Sequence, residues 1–251
     1  ISHNQKQLEK ISSGSSQKNL LLSHLNSFKF PLPPLPEQKQ ITSILSNVDD
    51  TLQKTNQIIE QTQRLKNGMM QKLLTRGIGH TKFKKVKTSF GKYEEIPEEW
   101  EMNKIEDLFC VGSSKRVLQS QWQSKGVPFY RGREITLLSN YGKVDNDLFI
   151  SKDLYDEHAS KYGVPKVGDI MITAIGTIGN SYIVTNKDKF YFKDASILWL
   201  DKKSDVNSKF INYWIKSEGF FKQLDHGNGS TVETLTVKKL QSILFPVPSL
   251  P

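Results

Sequence analysis

The chain has 251 residues, 36% hydrophobic and 24% charged, with a net charge of +9. That composition excludes a disordered chain, and no apolar run reaches the roughly 18 residues a membrane span needs. Nor does a charged start lead into an apolar block to suggest a signal peptide, and a cytoplasmic protein with one or two cores is expected. The single Cys110 cannot form an internal disulfide and is expected as a small core residue. His3, His24, His80, His158 and His226 lack metal-ligand spacing, and no cofactor is implied. The chain opens on Ile1, not Met, which is expected of a fragment or a processed product.

An internal repeat organises the chain. Residues 14–36, "GSSQKNLLLSHLNSFKFPLPPLP", align without a gap onto residues 229–251, "GSTVETLTVKKLQSILFPVPSLP", with 10 of 23 positions identical. One module is expected to end at Pro36 and an equivalent one at Pro251. The segment Pro36 to Arg76 then predicts a single long helix. Apolar residues recur at Ile41, Leu45, Val48, Leu52 and Ile59; Met69 and Leu73 resume the register, and Ile44, Ile58 and Leu65 widen the stripe. Thr55, Thr62 and Lys66 interrupt it. Pro36 suits a first helical position, Glu37 the first turn, Lys72 and Arg76 the last, and Gly77 the stop. At about 1.5 Å per residue such a helix is roughly 60 Å long, and its stripe must pack on something. The preceding "FPLPPLP" is stiff and extended, so it launches the helix in a set direction. The alternative reading of Pro31, Pro34, Pro248 and Pro251 as P-x-x-P ligands is weaker, because the repeat extends upstream of the prolines.

From Gln61 to Tyr93 nine basic residues occur without an acid, and the rest of the chain balances. Lys82, Lys84, Lys85 and Lys87 form the densest part. Such a tract is either a solvated linker face or a polyanion contact.

Beyond Tyr93 the pattern is that of a mixed α/β module. Strand-like runs occur at "PFYRGREI", "DLFIS", "DIMITAI", "NSYIV" and "FYFKDASILWL". One helix is predicted near Lys152–Lys161 behind Ser151. Another is predicted near Ser208–Leu224, with Phe210, Trp214, Phe221 and Leu224 as its buried face. Trp100, Trp122, Trp199 and Trp214 are expected in the core rather than as stacking platforms.

Phosphate-loop, dinucleotide, zinc-protease, nucleophile-elbow and base-methyltransferase motifs are all missing. Asp194 with Asp201-Lys202-Lys203 resembles a nuclease metal spacing, and a buried strand ending in a charged turn explains it equally well. Other groups suit recognition better. "SSKR" is a short basic loop carrying Lys115 and Arg116. "YRGREI" places Arg131 and Arg133 on one side of a predicted strand, and arginine is the commonest reader of guanine edges. "TAIGTIGN", with Thr173 and Thr177, and "HGNGST", with Ser230 and Thr231, are glycine turns whose N–H groups can approach phosphates, or else plain turns and caps.

These residues together resemble the specificity (S) subunit of type I restriction-modification enzymes. The resemblance rests on "FPLPPLPEQKQI" and "FPVPSLP", "RLKNGMMQKLLTRGIGHTKFK", "IPEEWEMNKIEDL", "YRGREI" and "GDIMITAIGTIGNSYIV". It implies an α/β (α+β) target-recognition domain with a mixed sheet plus a long projecting coiled-coil helix. Residues 1–35 become the tail of a preceding recognition domain, 36–77 the spacer helix, 78–92 a basic linker and 93–251 the recognition domain. Such subunits have no catalytic centre. They read a split site on double-stranded DNA, hold methyltransferase subunits through the conserved helices and reach the nuclease subunit indirectly. The expected DNA contacts are the basic, arginine and glycine-turn candidates Lys82, Lys84, Lys85, Lys87, Lys115, Arg116, Arg131, Arg133, Thr173, Thr177, Ser230 and Thr231. The resemblance implies a subunit interface along Ile41, Leu45, Val48, Leu52, Ile59, Met69 and Leu73. An antiparallel partner for that stripe is expected from another chain or from residues beyond this sequence, so self-association is expected too. An assembly scaffold without specific DNA readout, and a stand-alone nuclease or methyltransferase, are the rival readings.

Overall fold

The computed structural model describes residues 22–26, 31–88, 93–224 and 234–248. The chain forms two compact units, residues 1–61 and 62–251. A five-residue helix α1 (Leu22–Asn26) precedes the 42-residue helix α2 (Leu35–Arg76), which runs unbroken through that division. Gln38 N donates to Pro34 O at its start. Gly77, at φ 63, closes its end by donating to Leu73 O, the left-handed stop that glycine permits without a Cβ penalty.

Within the second unit the strands are short. The hairpin β1 (Phe83–Lys87) and β2 (Tyr93–Pro97) is antiparallel, as is the pair formed by β3 (Glu101–Lys104) with the last strand, β11 (Leu244–Val247). A four-stranded antiparallel sheet has the order β4-β10-β7-β8, from β4 (Phe109–Gly112), β10 (Ile197–Lys202), β7 (Ile170–Thr173) and β8 (Ser181–Ile183). A three-stranded sheet sets β5 (Val127–Tyr130) between antiparallel β6 (Phe149–Ile150) and parallel β9 (Tyr191–Phe192). The module is therefore α+β with one mixed sheet.

Side-chain alternation explains why "IMIT" is buried throughout. Ile170 and Ile172 enter a cluster with Ile211, Trp214, Phe220 and Phe245, while Met171 between them packs with Tyr130, Ile135 and Phe192 on the opposite face. Both faces of the central sheet are thus covered. Helices α3 (Ile105–Leu108), α6 (Ser208–Ile215), α7 (Glu218–Leu224) and α8 (Val237–Ser242) contribute to the first cluster. Helix α4 (Gly132–Tyr141) contributes to the second. The end of α2 joins the first cluster through buried Leu74 and partly buried Met70.

Helix α5 (Lys152–Tyr162) forms where predicted, capped by Ser151, whose hydroxyl accepts from Leu154 N at 3.2 Å. Three expectations need correction. The helix predicted over Ser208–Leu224 is two helices: Ser217 returns both its N–H (2.9 Å) and its hydroxyl (2.7 Å) to Trp214 O, ending the first, and its own carbonyl then starts the second. That break shifts the phase, so Phe220 is fully buried and Phe221 is exposed, with Phe210 only partly covered. Cys110 is exposed on β4, not in the core. "YRGREI" leaves strand geometry at Tyr130, with Arg131 capping α4. Of the tryptophans, Trp100 and Trp214 are buried, and half-buried Trp122 and Trp199 pack against core clusters.

His158, on α5, is 7% exposed, lies against the Tyr162 and Tyr191 rings, and its Nδ1 has no hydrogen-bond partner. Burial holds its pKa below the ordinary value, opposed by Glu157 and aided by Lys115 and Lys161. Protonation then favours the unfolded chain. Stability is complete above the unfolded value of about 6.5 and falls as pH drops through it, by at most about 1.4 kcal/mol per pH unit until the folded value is passed. Urea midpoints at pH 7.5 and 5.5 are expected to differ, and His158→Phe is expected to reduce that difference.

Candidate nucleic-acid interface

The densest polar group in the module stands where β5 gives way to α4. Glu134, three residues inside the helix start, reaches back so that Oε2 accepts from Arg131 N at 2.8 Å, the acidic half of a capping box. The same carboxylate accepts from Arg131 Nε (3.2 Å) and Nη2 (2.9 Å) and from Arg133 Nη1 (2.9 Å). Glu134 is fully buried. Two guanidiniums and a backbone N–H satisfy its buried oxygens.

A second carboxylate closes the group from the solvent side. Asp147, in the segment between α4 and β6, accepts from Arg131 Nη2 at 2.6 Å and Arg133 Nη1 at 3.4 Å. Arg133 Nη2 also approaches Asp145 O at 3.5 Å. Both arginines named from the sequence are therefore brought together, and both are already engaged with acids of their own chain.

The β7–β8 turn lies beside the same helix. Thr136 Oγ1 on α4 is 3.1 Å from Thr177 Oγ1, and Asn180 Nδ2 donates to Thr136 Oγ1 at 3.3 Å. Thr177 is exposed. Thr173 corrects the expectation placed on it: it is fully buried, donates to Thr177 O and accepts from Asn180 N at 3.1 Å. It shapes the turn and cannot itself touch a ligand. Gly179 at φ 89 packs so closely on Phe221 that an added Cβ would lie 2.7 Å from the ring.

The "SSKR" loop is laced to the sheets. Ser113 Oγ donates to Ile197 O (2.9 Å) and Ser114 Oγ to Phe192 O (2.6 Å), and Lys115 N donates to the Tyr191 hydroxyl (3.0 Å). Burial, the main cause, pushes that hydroxyl up to about 12, so it stays neutral. Lys115 Nζ sits 5.8 Å over the Tyr162 ring, and exposed Arg116 pairs with Asp194 at 2.9 Å. Asp194 is thereby spent on an arginine. Burial first, and Asp169 second, hold Asp201 above its ordinary range. Ser230 and Thr231 lie outside the described residues.

The basic tract is less isolated in three dimensions than along the chain. Lys85 stands opposite Glu95 and Val86 opposite Glu94 across the β1–β2 ladder, and Arg76 pairs with Glu95 at 3.2 Å. Lys82, Lys84, Lys85 and Lys87 therefore share their hairpin with the acids of "YEEIPEEWE". On α2, Ile41, Leu45, Val48, Leu52, Ile59, Met69 and Leu73 are all between 37% and 60% exposed. Met69 and Leu73 also line an apolar groove of about 810 Å³ with Ile78, Trp100, Phe210 and Pro248.

The family described as "Type I restriction modification DNA specificity domain" matches residues 1–64 and 97–251. The chain belongs to that family. This specificity-domain protein is 31% identical over 242 residues to the putative type I restriction enzyme MjaX specificity subunit of Methanocaldococcus jannaschii, across 94% of this chain and 52% of that protein. It is 30% identical over 242 residues to a putative type I restriction enzyme specificity subunit of Haemophilus influenzae, across 94% and 56%. It therefore spans about half the length of these curated relatives. In fold it is similar to the S subunit of the type I restriction-modification system from M. genitalium, with a TM-score of 0.54 at 17% identity over 98% of this chain and 58% of that one.

Sequence reasoning missed Glu134, Asp147, Thr136 and Asn180 in the specificity domain. Only Glu134 had a local signal, since a glutamate three residues after a chain turn is the mark of a capping box. Asp147 lies 14 and 16 residues from its arginines and Asn180 lies 44 from Thr136, separations that no periodicity connects.

Proposed function

We propose that this chain is the DNA-recognition component of a type I restriction-modification system. In that role it reads one half of a bipartite target and docks modification subunits through α2, without catalytic chemistry of its own. Its place of action is then the cytoplasm, and the nuclease subunit is reached only through the assembled complex. The observation that carries the reading is the DNA-specificity family match across both the helix and the α/β module. The exposed apolar stripe on α2 supports the docking role, because an apolar face of that length in water marks an interaction surface. Residues 93–251 serve as the reading domain and 36–77 as the spacer. Lys115, Arg116, Arg131, Arg133 and Thr177 approach phosphates or base edges, and Lys82, Lys84, Lys85 and Lys87 contact backbone.

A second reading, an assembly scaffold with incidental DNA contact, is favoured by one observation: Arg131, Arg133 and Arg116 are each paired with an internal acid. Salt dependence separates the two. Selection of bound duplexes from a random-sequence pool, followed by anisotropy between 50 and 200 mM salt, is expected to give log K falling linearly with log salt, at about −0.9 per phosphate neutralised. A flat salt profile and no enriched sequence would favour the scaffold.

A further inference from the structure

We propose that Arg131 and Arg133 form a phosphate-binding fork whose resident occupant is the Asp147 carboxylate, a built-in competitor that a DNA phosphodiester displaces. The inference deepens the DNA-recognition reading and rests on it for the identity of the anion.

The two acids that engage the fork are not equivalent. Glu134 is fully buried, sits inside a helix and takes four of the hydrogen bonds, one of them from backbone. It is a permanent counter-charge that aims the guanidiniums. Asp147 has a side chain 66% exposed, comes from a segment without regular structure, and reaches the fork only through one oxygen, Oδ1. Exposed ion pairs of this kind contribute little to stability and are readily exchanged. One anionic oxygen shared by two arginines is also the contact a phosphate oxygen makes, in charge and in geometry. With Asp147 in place the four side chains sum to zero charge; without it the fork is cationic and open on the side where Arg133 is half exposed. Asp147 thus raises the threshold for anion binding. A ligand must supply more than one contact to replace it, which a duplex backbone does and a single free anion does poorly.

Arg131, held by both its backbone and its guanidinium to Glu134, is a positioning residue. Arg133, with one buried partner and a half-exposed side chain, is the group that meets the ligand.

The test uses the full chain and Asp147→Asn, with Asp205→Asn as a control for the same charge change on a fully exposed acid elsewhere. Pyrophosphate titrations followed by arginine side-chain NMR shifts are expected to show binding about 3- to 10-fold tighter in Asp147→Asn, and unchanged binding in Asp205→Asn. Duplex binding is expected to tighten similarly, with the salt slope steeper by about 1. Both gains should vanish when Asp147→Asn is combined with Arg133→Ala, or with Arg133→Lys, which keeps a cation beside Glu134 but loses the fork. An equal gain in Asp205→Asn, a gain that survives loss of Arg133, or no pyrophosphate response in either protein overturns the proposal. Tighter pyrophosphate binding with no duplex binding by any variant supports the anion site and removes the DNA-recognition reading instead.

Discussion

Glu134→Ala is expected to lower the melting temperature by roughly 10 °C. Three contributions add. Charge-assisted hydrogen bonds to Arg131 are lost, the α4 cap loses its acidic half, and a small void opens at a site with no solvent access. Together these amount to about 3 kcal/mol. The share from Arg133 is counted as small, because that side chain is half exposed and water screens it. Glu134→Gln keeps the shape and one acceptor and is expected to fall between. Calorimetry of the three proteins checks the order; equal melting temperatures would mean that the carboxylate does not organise the arginine cluster.

Placing charges on the stripe has the opposite profile. Leu45→Asp together with Leu52→Asp is expected to leave folding nearly unchanged, since both side chains are 58% exposed in the chain alone. On the docking role proposed for α2, association with modification subunits, and self-association at micromolar concentration, should weaken by about two orders of magnitude or more. The estimate follows from each buried leucine contributing about 1.5–3 kcal/mol to an interface core. Co-purification from cells carrying the intact gene set measures the first, and sedimentation velocity the second. An unaltered complex would place the docking surface elsewhere. Unaltered folding alongside a lost complex would locate the function of α2 in its exposed face.

The long helix, the strands at residues 170–173, 181–183 and 197–202, and the Ser151 cap were legible along the chain because each is encoded locally. A period of about 3.5 residues, short apolar runs bounded by turns and a capping hydroxyl act over a few positions. The break at Ser217 escaped that reasoning because a serine hydroxyl returning to Trp214 competes with helix propagation without changing the apolar pattern around it. "YRGREI" misled for a related reason. Its alternation fits a strand, yet a glutamate that can accept from Arg131 N makes the helix start the better-satisfied choice.

Composition, the repeat, the strand-like runs and the stripe were enough to predict a mixed α/β module attached to a long helix with an exposed apolar side. Electrostatics was decided only by folding. Within the basic tract, β1–β2 registry sets Lys85 opposite Glu95, to which Arg76 also pairs, and the two candidate arginines are brought onto Glu134 and Asp147. Charge acts through space with a range of about 10 Å at 0.1 M salt, so the neighbours that neutralise a cation are set by which segments the fold places side by side, at whatever distance along the chain.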